Sequence, residues 1–524
     1  MKKIIMFLGC LLFVMPSCKK SFEKEPSDFI GPENYFKTEE QLNYALNGVY
    51  STLAESGLYA NNMIARLGLD ADQSYNRYSH DEASVSDYNY TSADTKILAY
   101  WRALYLGINR ANLLLENIDK PDMDNGKREK IKGQTLFLRA YFYFLLVIRF
   151  GDVPLVLNTV SSASSEALQV ARTPVKEVYH KILEDMEAAS LLVDDIDVVG
   201  SGGRISKSAV WGIMARVCLY MAGNPINDVS KYAEAREWAE KVITSGKHQL
   251  NPSFQQIFIN YAQDKYDYKE SIWEVEFWGN GTGIYTNLGG YVGRNNGIGS
   301  TEDPNVGYAA GMSRTSTVLF KLYDANDLRR DWSIAPFRYV GDAPAVATNW
   351  NASQIAERYC GKWRRIYETV LPRSTTRTSQ NFPILRYSDV LLMFAEADNF
   401  IDDNDGTQRH EAINKVRRRG FGKPVDVPDA SIDFTGMDKA AFLEQIQNER
   451  SRELAFECLR KDDLIRWNIF LSSMKYALND ITSTTTAATD AKRTFTNVSA
   501  RDVLWPIPLY ELGVNKKLVQ NSGW

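Results

Sequence analysis

The chain has 524 residues, of which 44% are hydrophobic, and a formal net charge of -4 at pH 7. This length and hydrophobic content provide for a large buried core and would suggest several domains. The mildly acidic balance argues against nucleic acid or anionic lipid as the main partner. The 28 Tyr and 11 Trp residues suit stacking on sugars or peptides, and they equally suit the packing of a large helical protein.

The N-terminus has the pattern of a secretory signal. Lys2 and Lys3 precede an apolar run over residues 4–15, and Cys18 follows shortly after. The run is too short to span a hydrocarbon core, which needs about 20 residues. Because a cysteine follows the predicted cleavage point, the segment resembles a bacterial lipoprotein signal. We therefore predict a signal peptide over residues 1–17 and lipidation of Cys18, since two or three acyl chains give stable anchoring.

Two other interpretations of this segment remain open. Met15 stands where lipoprotein signals usually carry Leu. Residues 7–10, which end in Cys10, also resemble a lipidation motif, but only three apolar residues precede them. The segment could alternatively be an ordinary cleaved signal that leaves Cys18 as a free thiol.

The region that follows, residues 18–250, has a helical pattern. Thr38 with Gln41 three residues later resembles a capping box. Residues 136–148 are apolar on nearly every face of the predicted helix 128–150. This helix must therefore be covered on most sides, and Gly151 ends it. Helical periodicity predicts helices over residues 36–53, 97–118, 128–150, 174–192, 206–222 and 232–245. Successive helical hairpins predict a mainly α fold, a tetratricopeptide-repeat-like α-solenoid with long irregular loops and a few short strands.

The second region, residues 251–524, has a different sequence pattern. Residues 270–278 alternate like a strand, and residues 279–311 are rich in Gly, Asn and Tyr without a helical period. Residues 482–490, rich in Ser, Thr and Ala, predict a mobile surface loop. Helical patterns return over residues 388–400, 411–419, 439–459 and 463–474. We expect the long loops to carry function and the two regions to pack as one body.

The sequence contains few residues in patterns that bind a metal ion or provide a catalytic nucleophile. The five cysteines are widely spaced and predict no disulfide framework, and Cys218 and Cys458 lie in apolar helical runs as expected of buried side chains. No His-Glu-x-x-His spacing and no Gly-x-Ser-x-Gly motif occurs. The sequence therefore predicts no cofactor, no metal and no catalytic residue. The four histidines are His80, His180, His248 and His410.

Several ordered motifs resemble the SusD/RagB family of nutrient-uptake outer-membrane lipoproteins of Bacteroidetes. The N-terminal motifs are SFEKEP (21–26), FKTEE (36–40) with LNGVY (46–50), FLRAYFYF (137–144) with FGDVPL (150–155), and RISKSAVW (204–211) with ARV (215–217). The C-terminal motifs are LRYSDVLL (385–392) with AEA (395–397), ERSRELAFE (449–457) with DLIRW (463–467), LWPIP (504–508) and QNSGW (520–524). The resemblance covers nearly all of the chain after Cys18.

The resemblance implies a SusD-like α/α superhelix and a role in binding without catalysis. Family members are lipid-anchored in the outer membrane, facing the cell exterior. They form a hinged lid on a SusC-like TonB-dependent transporter, to which they deliver a glycan or peptide. Two alternatives stay open, a glycoside hydrolase or other secreted hydrolase, and a structural surface lipoprotein.

Charged residues within the motifs sit among apolar neighbours, where charges must be paired. We predict buried ion pairs that lock helix register, and a catalytic carboxylate cluster is the alternative. These residues are Arg139, Arg386, Asp389, Glu396, Glu449, Arg452, Glu453 and Arg466.

Two loop regions have the composition of a ligand surface, because Tyr and Trp supply flat faces and Asp, Asn and Arg supply donors and acceptors for hydroxyls. The resemblance makes Asp72, Arg77 and Trp278 the leading candidates. The alternative is that the Tyr-rich loops pack against the solenoid and touch no ligand. The full predicted ligand-binding set is Asp72, Tyr75, Arg77, Tyr88 and Tyr90 from the first region, and Trp278, Tyr285, Asn287, Tyr291 and Arg294 from the second.

Overall fold

The computed structural model describes residues 35–63, 71–77, 84–159, 169–279, 289–301, 303–401 and 406–524. The predicted signal peptide and Cys18 lie outside the described residues, and so do Tyr285 and Asn287.

The N-terminal region is helical, as predicted. Its helices are α1 (Glu39–Tyr50), α2 (Thr95–Glu116), α3 (Asn125–Phe150), α4 (Val175–Leu192), α5 (Ile196–Val199), α6 (Lys207–Ala222) and α7 (Lys231–Thr244). Neighbours along the chain pack together, with α2 on α3, α3 on α4, and α6 on α7. The six helices predicted from periodicity are confirmed, each to within three residues at either end.

Helix α3 is the central helix of this region. Asp124 begins it by accepting a hydrogen bond from the backbone N–H of Lys127 at 2.9 Å. Gly151 ends it at a φ of 67°, which favours glycine. Its side chains are buried without interruption from residue 136 to residue 147, as its all-round apolar pattern predicts. By length and composition α3 could cross a membrane, but 83% of its most apolar window is buried inside the protein, which is typical of a core helix.

The C-terminal region mixes helices with irregular chain. Its helices are α8 (Phe254–Ala262), α9 (Val292–Asn296), α10 (Thr317–Leu322), α11 (Leu328–Ser333), α12 (Tyr387–Asn399), α13 (Thr407–Gly420), α14 (Lys439–Leu454), α15 (Arg460–Arg466), α16 (Phe470–Asp480), α17 (Thr486–Thr496) and α18 (Leu509–Val514). Short 3₁₀ turns occur at Ser51–Ala54, Val85–Asp87, Arg365–Tyr367 and Ala500–Val503.

The strands form small antiparallel sheets between segments that are mostly far apart in the chain. Among the described residues, β1 (Ser74–Asn76) pairs with β3 (Ser313–Thr315), β2 (Ser271–Val275) with β6 (Phe382–Arg386), and β4 (Phe337–Val340) with β5 (Val346–Asn349). The strand predicted over residues 270–278 is therefore confirmed as β2.

The prediction of a loop over residues 482–490 is wrong for residues 486–490, because α17 begins at Thr486. The hydroxyl of Thr485 accepts a hydrogen bond from the backbone N–H of Ala488 at 3.3 Å, which caps the helix. The Ser, Thr and Ala composition that indicates a loop also supplies an N-cap followed by good helix formers.

The two predicted regions pack directly against each other. Helix α12 contacts both α6 and α7. Arg216 of α6 bonds to Asp389 of α12 at 2.5 Å, and Arg149 of α3 bonds to Asp462 of α15 at 2.7 Å. The division of the chain at residue 250 itself stays a prediction.

The charges predicted to lie in the core form ion pairs there. The carboxylate of Glu453 is fully buried and meets Arg329 at 3.1 Å, Arg386 at 2.8 Å and Arg419 at 2.5 Å. Burial alone raises the pKa of this carboxyl, but the guanidinium groups outweigh burial and hold it well below its usual range.

The remaining predicted charges have partners of the same kind. Burial opposes ionisation of Glu449, yet Arg329, Arg452 and Arg417 lower its pKa to about 2. The other pairs are Arg139 with Asp185, Asp389 with Arg216 and Arg450, and Glu396 with Arg466. The prediction of buried ion pairs is confirmed. Cys218 and Cys458 are buried, as predicted.

We expect Glu453→Gln to lower the free energy of unfolding by about 3–5 kcal/mol, because three buried guanidinium groups lose their shared charge. The urea midpoint measures this loss. Glu39→Gln is the matched control, since Glu39 forms an exposed pair with Lys127 at 2.9 Å, and its midpoint should stay close to that of the parent. An equally small effect of both substitutions would contradict the structural role of the buried network.

Glu274 of β2 is buried without a cationic partner among the described residues. Its Oε1 accepts from Asn381 Nδ2 at 2.9 Å, and its Oε2 accepts from the Ser271 hydroxyl. Burial raises its pKa from 4.5 to about 7 despite these hydrogen bonds. The folded state therefore keeps this proton at a pH where the unfolded chain has lost it.

We expect the stability that Glu274 contributes to be complete below about pH 4.5 and to be lost as the pH rises through about 7, a loss of about 3 kcal/mol. Glu274→Gln should remove this dependence, since an amide accepts from Asn381 and donates to Ser271. Urea unfolding at several pH values checks this. Glu39→Gln, which removes an exposed carboxylate paired with Lys127, should keep the parent profile. Parallel profiles for the parent and Glu274→Gln would refute the prediction.

Candidate functional site

A pocket of about 440 Å³ lies where β1, β3, the chain that follows β5 and the start of α17 meet. Its charged lining residues are Arg77, Arg314, Arg338, Glu357 and Asp490. Its aromatic lining residues are Tyr75, Trp350 and Tyr359, and residues 485–487 complete the wall.

The pairing of β1 with β3 builds one side of the pocket. Tyr75 lies opposite Arg314 in the register, and its hydroxyl donates to the backbone oxygen of Ala356 at 2.6 Å. The backbone N–H of Arg77 donates to Met312 O at 3.0 Å, which extends the pairing beyond the strand. Because side chains alternate along a strand, Tyr75 and Arg77 point to the same side and both reach the pocket.

Two aromatic rings, of Trp350 and Tyr359, also line the pocket. The ring centroids of Trp350 and Tyr359 lie 5.8 Å apart at an angle of 49°. The guanidinium of Arg338 lies 4.9 Å from the centre of the Trp350 ring. The indole Nε1 of Trp350 is buried and has no hydrogen-bond partner among the described residues. Flat apolar faces beside hydrogen-bond donors are the features that suit a sugar ring.

Arg314 is the most buried cation of the pocket, at 5% exposure. Its guanidinium lies 3.7 Å from the centre of the Tyr359 ring, and its Nη1 donates to the backbone oxygen of Glu357. Burial lowers the pKa of Arg314, and the positive charge of Arg77 lowers it further. The pocket thus holds a desolvated positive charge beside its aromatic rings.

The two carboxylates of the pocket each have a protein partner. Glu357 Oε2 accepts from Gln354 Nε2 at 2.9 Å. Asp490 Oδ1 accepts from Arg493 Nη2 at 2.9 Å.

The structure brings Tyr75 and Arg77, two of the residues predicted from sequence, into this pocket. Asp72 lies in the same segment, but both of its carboxylate oxygens accept from Arg460, at 2.9 and 2.8 Å, and its side chain is 5% exposed. We therefore reassign Asp72 from the ligand to a buried ion pair that fixes the chain entering β1.

Tyr88 and Tyr90 also stay away from the pocket, because both rings are buried in the core. Tyr88 packs against Phe470 with centroids 6.1 Å apart, and Tyr90 packs against Trp524 with centroids 4.6 Å apart. Rings covered in this way offer no face for a sugar, so we remove both from the candidate site.

The second predicted region lies outside the lining of the pocket. The Trp278 side chain is 50% exposed just beyond β2. The ring of Tyr291 lies 4.3 Å from the guanidinium of Arg377, and Arg294 lies 5.1 Å from the ring of Tyr308 and donates to Thr375 O at 3.3 Å. The predictions for Tyr285 and Asn287 fall on residues that the structure does not describe.

Sequence reasoning missed most of the pocket. Arg338 lies within β4 and Trp350 directly follows β5, and the Phe337-Arg338-Tyr339-Val340 run is a strand signal that could have been found. Arg314 and Tyr359 carry no such signal, because long-range pairing places them. Within the described ranges, no group of three His, Cys, Asp or Glu side chains is arranged to hold a metal ion.

Comparison with known proteins finds relatives in sequence and solved structures with the same fold. "SusD-like protein P25" of Formosa agariphila is 26% identical over an alignment that covers 98% of this chain and 97% of the relative. The crystal structure of a SusD homologue from Bacteroides thetaiotaomicron is 27% identical, covers 94% of this chain and 98% of its own, and has a TM-score of 0.86. "Surface glycan-binding protein A" from Bacteroides fluxus, at 24% identity, covers 93% of this chain and 100% of its own with a TM-score of 0.70, and shares the fold.

Two family models match complementary parts of the chain. "SusD family" matches residues 321–524, and "Starch-binding associating with outer membrane" matches residues 22–219. The chain belongs to the SusD/RagB family. The two models include most of the pocket lining of this SusD/RagB protein, namely Tyr75, Arg77, Arg338, Trp350, Glu357, Tyr359, residues 485–487 and Asp490. Arg314 lies between the two matched segments.

Proposed function

We propose that this protein is an outer-membrane lipoprotein that binds a glycan in the pocket between β1, β3 and α17 and delivers it to a SusC-like TonB-dependent transporter, without catalysis. The observation that carries the binding role is the pair of rings, Trp350 and Tyr359, set at an angle beside Arg314 and Arg338. The rings supply stacking faces, and the guanidinium groups supply hydrogen-bond donors to the oxygens around a sugar ring.

The relatives support the same role. The outer-membrane association in the description of the N-terminal family model agrees with a lipid anchor at Cys18. The Bacteroides fluxus structure of the same fold is described as a surface glycan-binding protein. An acylated Cys18 would keep the folded body beside a membrane transporter while leaving it free to swing, which raises the local concentration of ligand at the transporter.

A hydrolase is the competing function that the pocket itself suggests, because Glu357 and Asp490 both line it. The binding experiment therefore includes an assay for product release from the same glycans. Binding with no new reducing ends supports capture, and release of reducing ends would support the hydrolase.

We expect Trp350→Ala to weaken binding of the recognised glycan by about tenfold or more, because a stacking face is lost. Isothermal titration of the mature chain against neutral, uronate-containing and sulfated oligosaccharides and against peptides measures this. Trp350→Phe should restore most of the affinity.

Trp278→Ala is the matched control, because Trp278 is a half-exposed tryptophan outside the pocket lining. Its affinity should equal that of the parent. If Trp278→Ala weakens binding and Trp350→Ala does not, the ligand site lies elsewhere. If no glycan or peptide binds, the nutrient-capture proposal is abandoned.

We expect Cys18→Ala to move the protein from the membrane fraction to the soluble fraction of cells, because no acyl chain can then be attached. Cys10→Ala is the control for the alternative motif and should leave the protein in the membrane. Fractionation and incorporation of a labelled fatty acid give the result. Continued labelling of Cys18→Ala would place the lipid at another residue.

A further inference from the structure

Among the described residues, the pocket that we propose for glycan binding carries more positive than negative charge. Three guanidinium groups of these residues line it, from Arg77, Arg314 and Arg338, against the two carboxylates of Glu357 and Asp490. This local excess is opposite in sign to the chain as a whole, which has a net charge of -4. Arg493 further neutralises the Asp490 carboxylate at 2.9 Å.

Arg314 differs from the arginines of the buried ion-pair network. Arg329, Arg386 and Arg466 each bond to at least two carboxylates. Arg314 is 5% exposed, yet no carboxylate lies within ion-pair distance of it among the described residues. Its Nε–H is also buried without an acceptor in the part of the chain that the structure describes.

An unpaired cation in a desolvated position is unfavourable. Burial lowers the pKa of Arg314, and Arg77 adds like charge beside it. An incoming anion in the pocket that Arg314 lines would supply the missing negative charge. Guanidinium groups bind carboxylate and sulfate oxygens in a forked geometry, which makes arginine the suitable residue for this purpose.

The aromatic rings show where the rest of such a ligand would lie. Arg314 lies against Tyr359 at 3.7 Å and Arg338 against Trp350 at 4.9 Å, so each cation adjoins one of the two rings. A sugar stacked on either ring would bring its substituents next to a guanidinium group.

We propose that the pocket selects glycans that carry an anionic substituent, a uronate carboxylate or a sulfate ester, and that Arg314 binds this group with Arg338 and Arg77 beside it. The inference rests on the proposed function, since it names the class of glycan that the same pocket takes.

The test compares charged glycans with neutral forms of the same backbone. One arm uses oligogalacturonate and its methyl ester, and the other uses a sulfated galactan oligosaccharide and its desulfated form. In isothermal titration, the charged member of at least one pair should bind about tenfold to a hundredfold more tightly than its neutral form. The arm that shows the difference identifies carboxylate or sulfate as the recognised group. Raising the salt from about 20 mM to about 500 mM should reduce the preference.

Arg314→Gln should bring the charged-to-neutral ratio close to one, because it weakens binding of the charged form much more than binding of the neutral form. Arg377→Gln is the matched control, because it removes a positive charge from a stacked arginine outside the pocket lining, and its ratio should be that of the parent. If Arg314→Gln fails to fold, the exposed Arg338→Gln takes its place and should lower the ratio about threefold or more.

The outcomes separate this inference from the proposed function. Equal binding of charged and neutral forms, with loss of both in Trp350→Ala, would overturn the anionic preference and keep glycan binding. Arg314→Gln and Arg338→Gln should each reduce the preference for charged glycans more than Arg377→Gln does. If neither does, the assignment of this preference to the pocket is overturned. Binding of no glycan at all would overturn both proposals.

Discussion

The carboxylates of Glu449 and Glu453, one helical turn apart on α14, fix the arrangement of the C-terminal region. Neither side chain is exposed, and each meets several guanidinium groups. The arginines come from α11, the end of β6, α13 and α14 itself, so the two carboxylates tie all four elements together. Because a buried charge that loses its partner costs several kcal/mol, about 3–5 per pair, alternative packings of these elements are strongly disfavoured.

The same helix also positions the pocket. The side chain of Gln73 donates to the backbone oxygen of Ser451 on α14 at 3.1 Å, and the preceding Asp72 pairs with Arg460 at 2.8 Å. These two contacts fix the chain immediately before β1, and β1 then presents Tyr75 and Arg77 to the pocket. A charge network buried in the core is thus connected through a few hydrogen bonds to the surface that we propose for ligand binding.

The features that could be predicted from the sequence are those that a local sequence pattern encodes. Helical period identifies α1 to α4 and α6 to α7, and charges inside apolar motifs identify the buried pairs, because both signals lie within one element. The pocket depends on contacts between distant segments, above all the pairing of Tyr75 with Arg314, and no local pattern encodes that pairing. Tyr75, Tyr88 and Tyr90 come from similar loop sequence, yet only Tyr75 reaches the pocket, since Phe470 and Trp524 cover the other two.

The arginines of this protein therefore fall into two environments. In the core, guanidinium groups such as those of Arg329 and Arg386 are matched by carboxylates and stabilise one packing. In the pocket, Arg314 is 5% exposed, and among the described residues its guanidinium bonds to a backbone oxygen and lies against an aromatic face. Within the described residues no carboxylate pairs with Arg314, which costs stability, whereas Arg329 and Arg386 each pair with several. Such local departures from an otherwise consistent pattern are expected where a side chain serves a ligand rather than the fold.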